Sequence, residues 1–289
     1  MKSKEKKFGF TIVELLTVMS VIVILLSLLL PSLTLVRRQA RVVGQRNQFR
    51  NIDAGLQLYE GDFDEYPDSR WYDADGKTYV GAMKLAEVMA GQDGLGFHMG
   101  SRLTAEDGTG QDELYPDNPP PTPYPDWYIQ NLRSRKEYLS ISDIQICSLT
   151  NLYTNVIGFE KDPNEVALLC DVFRSVRNIK TGKLMGMPIL YYRADTSKLL
   201  HDVDEPDSSV YDYRDNQPFL DLGLPWNTTE DYPLFKTEDG QEGEEFYKLT
   251  LDKTSAPIER AHNKDSYILI SAGWDGIYGT RDDVFNFAE

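Results

Sequence analysis

The chain has 289 residues, 30 Lys and Arg against 46 Asp and Glu, and a formal net charge of −16. A balance this acidic argues against a nucleic-acid partner, because phosphate contacts need clustered Lys and Arg. Its two cysteines, Cys147 and Cys170, exclude a disulfide-rich scaffold and a four-cysteine zinc site.

The charge is unevenly placed. Residues 1–9 (MKSKEKKFG) hold four Lys and one Glu, and from Phe10 to Val36 the only ionisable side chain is Glu14. Arg37, Arg38, Arg41, Arg46 and Arg50 follow within residues 37–50, with no acid among them. Residues 51–289 then carry 21 basic and 44 acidic residues, a net of −23. The apolar run is long enough to cross a bilayer, which takes about 20 helical residues. A cleaved secretory signal would have an apolar core of about 7–15 residues and a small-residue cleavage site. No such site precedes the arginines, so a retained membrane helix is predicted. Counting Lys and Arg gives four before the run and five after it, which does not set the orientation.

The junction Lys6-Lys7-Phe8-Gly9, then Phe10-Thr11-Ile12-Val13-Glu14-Leu15-Leu16, resembles the class III signal of type IV prepilins and type II secretion pseudopilins. The resemblance implies cleavage between Gly9 and Phe10 by a membrane-embedded prepilin peptidase and N-methylation of Phe10. It places Glu14 at the family's glutamate position and Pro31 at the position of a proline that family helices carry. A carboxylate in hydrocarbon costs about 2.5–3.5 kcal/mol even on lenient scales, and a buried charge is satisfied by pairing. The α-amino group of processed Phe10, on the same or a neighbouring subunit, is the candidate partner. The family assigns such pairing to assembly. The plain alternative is that Glu14 snorkels to the membrane surface.

Beyond the apolar run, Phe49, Ile52, Leu56, Tyr59 and Phe63 are spaced as one helical stripe, with Val36, Ala40 and Val43 extending it backward. The pattern predicts a helix from about Thr11 to about Asp62, kinked near Pro31 and about 75 Å long. The arginines on its other faces either pair with acidic neighbours or lipid headgroups, or are simply solvated. Tyr66-Pro67 is a credible terminator, and Tyr59 through Pro67 resembles the Tyr…Tyr-Pro turn that closes the long helix of G-type pseudopilins.

The middle of the chain reads as mixed α and β. Ala82–Met89 predicts a short helix, residues 116–125 (PDNPPPTPYP) an extended loop, and Ala167–Val172 and Pro188–Arg193 strands. Residues 238–245 (EDGQEGEE) read as an exposed acidic loop, Asp73-Ala74-Asp75-Gly76 as a plain turn, and Asn227-Thr228-Thr229 as a glycosylation sequon given little weight here. With no repeat and no clean linker, residues 64–289 are expected to form one domain. The three histidines, His98, His201 and His262, show no metal-ligand spacing, and no nucleophile elbow, P-loop or dinucleotide fingerprint is present. Among 46 acids some glycosidase-like pair always exists, and none stands out. Cys147 and Cys170, 23 residues apart in a body expected outside the cytoplasm, leave both a disulfide and two buried thiols open.

Ser266–Ser271 predicts a strand that runs into Ala272-Gly273-Trp274-Asp275-Gly276-Ile277-Tyr278-Gly279-Thr280-Arg281-Asp282-Asp283-Val284. Glycines permit tight turns, and carboxylates with loop carbonyls suit Ca²⁺. The spacing is not that of an EF-hand. It resembles the C-terminal calcium loop of the major, G-type pseudopilin, which implies Asp275 and Asp282 as side-chain ligands, the Ala272 carbonyl as a further ligand, and Asp283 as a less secure one. An acidic glycine turn without metal is the alternative.

Together these resemblances imply a pilin-like α+β fold: a cleaved leader (1–9), a transmembrane helix (10–36), its amphipathic continuation (37–63), and an antiparallel-sheet globular domain (64–289) ending in a calcium-type loop (272–284). The implied function is that of a structural, non-enzymatic subunit of a type II secretion pseudopilus in the bacterial inner membrane, with a cytoplasmic N-terminus and an extracytoplasmic body. Its implied partners are the prepilin peptidase, further pseudopilin subunits, the assembly platform and ATPase, and membrane lipid. The body exceeds the usual G-type size. A minor or enlarged prepilin-like subunit, a type IV pilin with an adhesive role, and a membrane-anchored carbohydrate-binding or hydrolytic domain therefore remain as alternatives.

Overall fold

Leu, Ile and Val dominate residues 12–36, with Pro31 the only helix breaker among them, and the computed structural model carries a single helix, α1 (Ile12–Phe63), through that stretch and beyond. The structure describes residues 11–106, 113–116, 120–140, 145–154, 156–162, 166–235, 242–255 and 260–287. The chain divides into two units, residues 1–43 and 44–289.

In the first unit, α1 is long and apolar enough to cross a membrane. Its described side chains from Ile12 to Ala40 are all exposed, Ile12, Leu16, Val23 and Leu30 among the most open. Such a continuous apolar surface marks a face for lipid or protein. Val36, Ala40 and Val43 share the periodicity of the aromatic stripe yet are exposed. Periodicity identifies a face without saying what covers it.

In the second unit the remainder of α1 is held by its stripe. Phe49, Ile52, Leu56 and Tyr59 are buried, and Phe63, half-buried, stacks on Tyr59 with ring centroids 4.5 Å apart. Two glutamines join that face: Gln45 Oε1 accepts the Val172 amide at 3.0 Å, and Gln48 Nε2 donates to the Cys170 carbonyl at 2.9 Å. Gly55 lets a second helix come close, for a Cβ there would sit 2.7 Å from Met89 Sδ and 3.0 Å from the Tyr138 carbonyl. The helix stops at Phe63, with Asp64 in the left-handed region, and the Tyr191 hydroxyl fixes the following turn by donating to the Pro67 carbonyl at 2.7 Å.

That second helix, α2 (Gly81–Ala90), is buried at every residue. It is apolar all round except for Lys84 and Glu87, the pattern of a helix enclosed in a core. Burial penalises the Lys84 charge and lowers its pKa. Its ammonium is nonetheless satisfied, donating to Asp68 Oδ2 at 2.8 Å and to the Arg70 and Tyr72 carbonyls at 2.7 and 3.0 Å. Glu87 accepts from the Tyr79 hydroxyl at 2.6 Å and from Gln92 at 3.0 Å.

Short antiparallel pairs make up much of the body. β1 (Phe97–His98) pairs with β2 (Arg135–Lys136), with α3 (Asp126–Arg133) between them, and β3 (Gln145–Ser148) pairs with β4 (Ala167–Cys170). β5 (Val176–Arg177) and β6 (Leu184–Met185) form a hairpin. The largest sheet has the order β7 (Leu190–Arg193), β8 (Tyr267–Ser271), β9 (Val284–Phe285), with Tyr191 opposite Leu269 and Ile270 opposite Phe285. α2 packs against strands of three of these sheets, β1, β4 and β7. Two short helices, α4 (Gln217–Leu220) and α5 (Glu244–Thr250), lie between β7 and β8 in sequence. The body is thus α+β with small antiparallel sheets, as expected. The expected helix over 82–89 and the strands near 167–172, 188–193 and 266–271 are present, each within a few residues of the expected limits. Asp73 builds the expected turn by accepting the amides of Asp75 and Lys77, both at 2.9 Å. Of the loop expected over 116–125, residues 117–119 lie outside the described residues, as do 238–241 of the acidic loop.

Candidate functional site

Three places carry chemistry. The first is the start of α1. Gly9 and Phe10, the expected cleavage pair, lie outside the described residues. Thr11 and Glu14 hydrogen-bond reciprocally: Thr11 N donates to Glu14 Oε2 at 2.8 Å, the Thr11 hydroxyl donates to the same oxygen at 2.7 Å, and Glu14 N donates to Thr11 Oγ1 at 3.2 Å. This is a capping box, Thr at the N-cap and Glu at the third helical position, which satisfies two of the amides that a helix leaves open. The Thr-x-x-Glu spacing is the signal of this cap in the sequence. α1 continues through position 31 as one element.

The second is the loop after β8. Ala272 is fully buried, Asp275 exposed, Asp282 half-buried and Asp283 buried. Gly273 is required at a positive φ of 65°, because a Cβ there would meet the Asp282 carbonyl at 2.2 Å. That close approach brings the ends of the loop together. Asp282 Oδ2 accepts the amides of Trp274 (2.5 Å) and Asp275 (3.0 Å), and Asp275 Oδ1 accepts the Ile277 amide at 2.8 Å. The Thr280 hydroxyl sits between the two carboxylates, 3.0 Å from Asp275 Oδ2 and 2.7 Å from Asp282 Oδ1. One hydroxyl proton serves one acceptor at a time, so two carboxylate oxygens and a hydroxyl oxygen share a point with a single proton. Burial and the neighbouring Asp282 raise the Asp275 pKa. Burial acts on Asp282 too, but the Thr280 hydroxyl and the two amides outweigh it and hold that carboxyl below its usual range.

Asp275, Thr280 and Asp282 therefore form a hard-oxygen cluster of the kind that suits Ca²⁺. Asp283 is engaged elsewhere: its Oδ2 accepts the Gly279 amide at 2.7 Å, and its Oδ1 is buried without a hydrogen-bond partner. Among the described residues no three acidic, histidine or cysteine side chains converge as a complete ligand set. The sequence drew attention to the acids and missed Thr280, whose role depends on how the loop closes.

The third place had no sequence signal. A cleft of about 420 Å³ is lined by Asp68, Ser69 and Arg70, by residues 193–196, and by Pro206, Asp207, Asp212 and Asp215 among others. Ser69 is its pivot, accepting the Arg193 amide at 2.9 Å and donating to Asp215 Oδ2. Burial pushes the Asp215 carboxyl up to about 8, against a smaller opposing effect of the Ser69 hydrogen bond. The other acids of the cleft are engaged: Asp68 with Arg70 and Lys84, Asp207 and Asp212 with Arg214, and Asp195 with Ser197.

Cys147 and Cys170 are joined in a disulfide across the β3–β4 pair, their Cα atoms 6.6 Å apart. Among the histidines, His201 is buried, its pKa lowered to about 4 by burial, with Nε2 2.9 Å from the Thr250 hydroxyl. That hydroxyl donates to the Phe246 carbonyl at 2.7 Å, so His201 Nε2 carries the proton and donates. It is a core residue.

No family model, curated protein or solved structure matches this chain.

Proposed function

We propose that this chain is a membrane-anchored, prepilin-like filament subunit, closest in character to a major type II secretion pseudopilin with an enlarged body. The observation that carries the reading is the start of α1: a glutamate at the third helical position of an otherwise uncharged run whose described side chains are all exposed. Those side chains need lipid before assembly and neighbouring helices after it. Glu14 spends one oxygen on Thr11, and Oε1 is the atom we assign to the α-amine of a processed Phe10 on an adjacent copy. On this reading, prepilin peptidase removes residues 1–9 and methylates Phe10, and an assembly ATPase with its platform adds the subunit to a short fibre supporting protein secretion. The body then lies outside the inner membrane.

We propose Ca²⁺ at the C-terminal loop, held by Asp275, Asp282 and Thr280 Oγ1, with loop carbonyls such as that of Ala272 completing the shell. It would neutralise two adjacent carboxylates and tie the segment leading to β9 against β8.

Mass spectrometry of the chain expressed with and without a prepilin peptidase tests the central claim. The expected product begins at Phe10 and carries an added methyl group. A chain retaining residues 1–9 in the presence of an active peptidase would refute it.

A further inference from the structure

The aspartate-lined cleft has no part in the proposed function. Its volume of about 420 Å³ lies within the range of about 300–1,000 Å³ typical of small-molecule sites. The most deeply buried of its acids is Asp215, 4% exposed. The Ser69 hydroxyl accepts the Arg193 amide at 2.9 Å, so its single proton is directed to Asp215 Oδ2. Among the described residues no hydrogen bond reaches Asp215 Oδ1. Burial pushes this carboxyl up to about 8, so at neutral pH it holds a proton. With Oδ2 accepting from Ser69, that proton is on Oδ1. The cleft therefore contains a buried O–H donor that the protein itself does not use.

The charges around this donor cancel locally. Asp68 is paired with Arg70 and Lys84, Arg193 with Glu65, and Asp207 and Asp212 with Arg214. Asp195 accepts the Ser197 amide and hydroxyl. Charges already paired do not select an ion. They suit a neutral ligand whose groups both donate and accept, and a hydroxyl does both: it accepts from guanidinium N–H groups and donates to carboxylate oxygens. The apolar side chains lining the cleft, among the described residues, are those of Ala194, Pro206 and Val210, too little surface to seat the side chains of a peptide.

Two aromatic rings stand beside it. Arg70, part of the cleft wall, places its guanidinium 5.4 Å from the centre of the Tyr72 ring. Trp71 meets Tyr72 edge to face with ring centroids 5.1 Å apart, and the two residues are 38% and 36% exposed. Their backbone is fixed, since the Trp71 carbonyl accepts the Tyr79 amide at 2.9 Å and the Tyr72 carbonyl accepts from Lys84 at 3.0 Å. Positioned rings open to solvent beside convergent polar groups offer a packing surface for the C–H face of a sugar ring.

We propose that the cleft binds a neutral saccharide. Asp215 Oδ1 donates to a sugar hydroxyl, the paired charges of the rim exchange hydrogen bonds with further hydroxyls, and Trp71 and Tyr72 carry an adjoining sugar ring. The inference goes beyond the proposed function and holds whether or not the chain forms filaments.

The test uses the full chain in dodecylphosphocholine micelles, which carry no sugar. Titration calorimetry with cellohexaose, maltohexaose, xylohexaose and chitohexaose is expected to show saturable binding of at least one. For that saccharide, Asp215→Asn keeps an N–H where the acid has its O–H and holds the affinity within about threefold. Asp215→Leu removes the donor and lowers the affinity about tenfold or more. Trp71→Ala/Tyr72→Ala lowers it by a similar factor while leaving the thermal midpoint within a few degrees, and so decides the matter if Asp215→Leu does not fold. Absence of binding by all four saccharides overturns the inference. So does binding that survives both the leucine and the aromatic changes, which places the sugar elsewhere. Binding lost in a folded Asp215→Asn also overturns it, because the carboxylate and not its proton would then be the recognised group. Tetra-alanine bound in place of the saccharides, and lost in the same variants, would make the cleft a peptide site instead.

Discussion

Gln48 on α1 donates to the carbonyl of Cys170 on β4, so the long helix is fastened to the strand that carries one half of the disulfide. One turn earlier, Gln45 accepts the amide of Val172. Both glutamines are buried, and each holds a backbone group at or just past the end of β4. Gln48→Ala removes a hydrogen bond to the buried Cys170 carbonyl, and a hydrogen bond of this kind contributes about 0.5–1.5 kcal/mol. Chemical denaturation of the variant should show that loss with little change in the denaturant slope. An unchanged midpoint would mean that the carbonyl finds another donor.

Asp215 makes stability depend on pH in a known direction. Its folded pKa is raised to about 8 from 3.8, chiefly by burial, with Asp212 and Asp68 raising it further and Lys84 opposing. The folded state therefore holds a proton that the unfolded state has released. Stability from this group is fully present below about 4 and is lost as pH rises towards about 8. Asp215→Asn mimics the protonated form and should flatten the decline of the thermal midpoint between pH 5 and 8. Parallel curves for the two proteins would show that Asp215 is ionised in the fold.

The capping role of Glu14 and its proposed role in assembly are separable. Thr11→Ala removes the capping hydroxyl, a change worth about 1 kcal/mol of helix stability, and should leave assembly largely intact. Glu14→Gln keeps an oxygen for the Thr11 amide while removing the charge, and should stop filament growth, as should Glu14→Ala. Filament counts by electron microscopy decide between these roles. Normal filaments from Glu14→Gln would reduce the residue to a cap.

Calcium should raise the thermal midpoint of the unaltered chain, by an increment growing as RT ln(1 + [Ca²⁺]/Kd) when only the folded state binds. Asp282→Asn should remove the increment almost entirely. Thr280→Val should shrink it while also unpinning both carboxylates. An identical midpoint in chelator and in millimolar calcium would leave the loop as a hydrogen-bonded turn.

What the sequence discloses depends on whether its signal is local. Apolar content and length give α1, an all-round apolar pattern gives α2, and β-branched and aromatic runs give β4, β7 and β8. The β5–β6 hairpin escaped because its strands are two residues each, too short for alternation to register. The cleft escaped because Ser69, Arg193 and Asp215 come from three distant segments, and no spacing joins them. Thr280 was invisible for a similar reason: its value lies in standing between Asp275 and Asp282 once Gly273 has folded the loop back.

The Cys147–Cys170 bond has one more effect. It spans the chain between β3 and β4 as a covalent staple, so a protease that cuts once between Ser148 and Leu169 severs the backbone without releasing either fragment. Such a nicked body would run at full mass on a gel until a reductant is added. The intervening loop could then be opened, replaced or lengthened while α1 and the C-terminal sheet stay on one molecule.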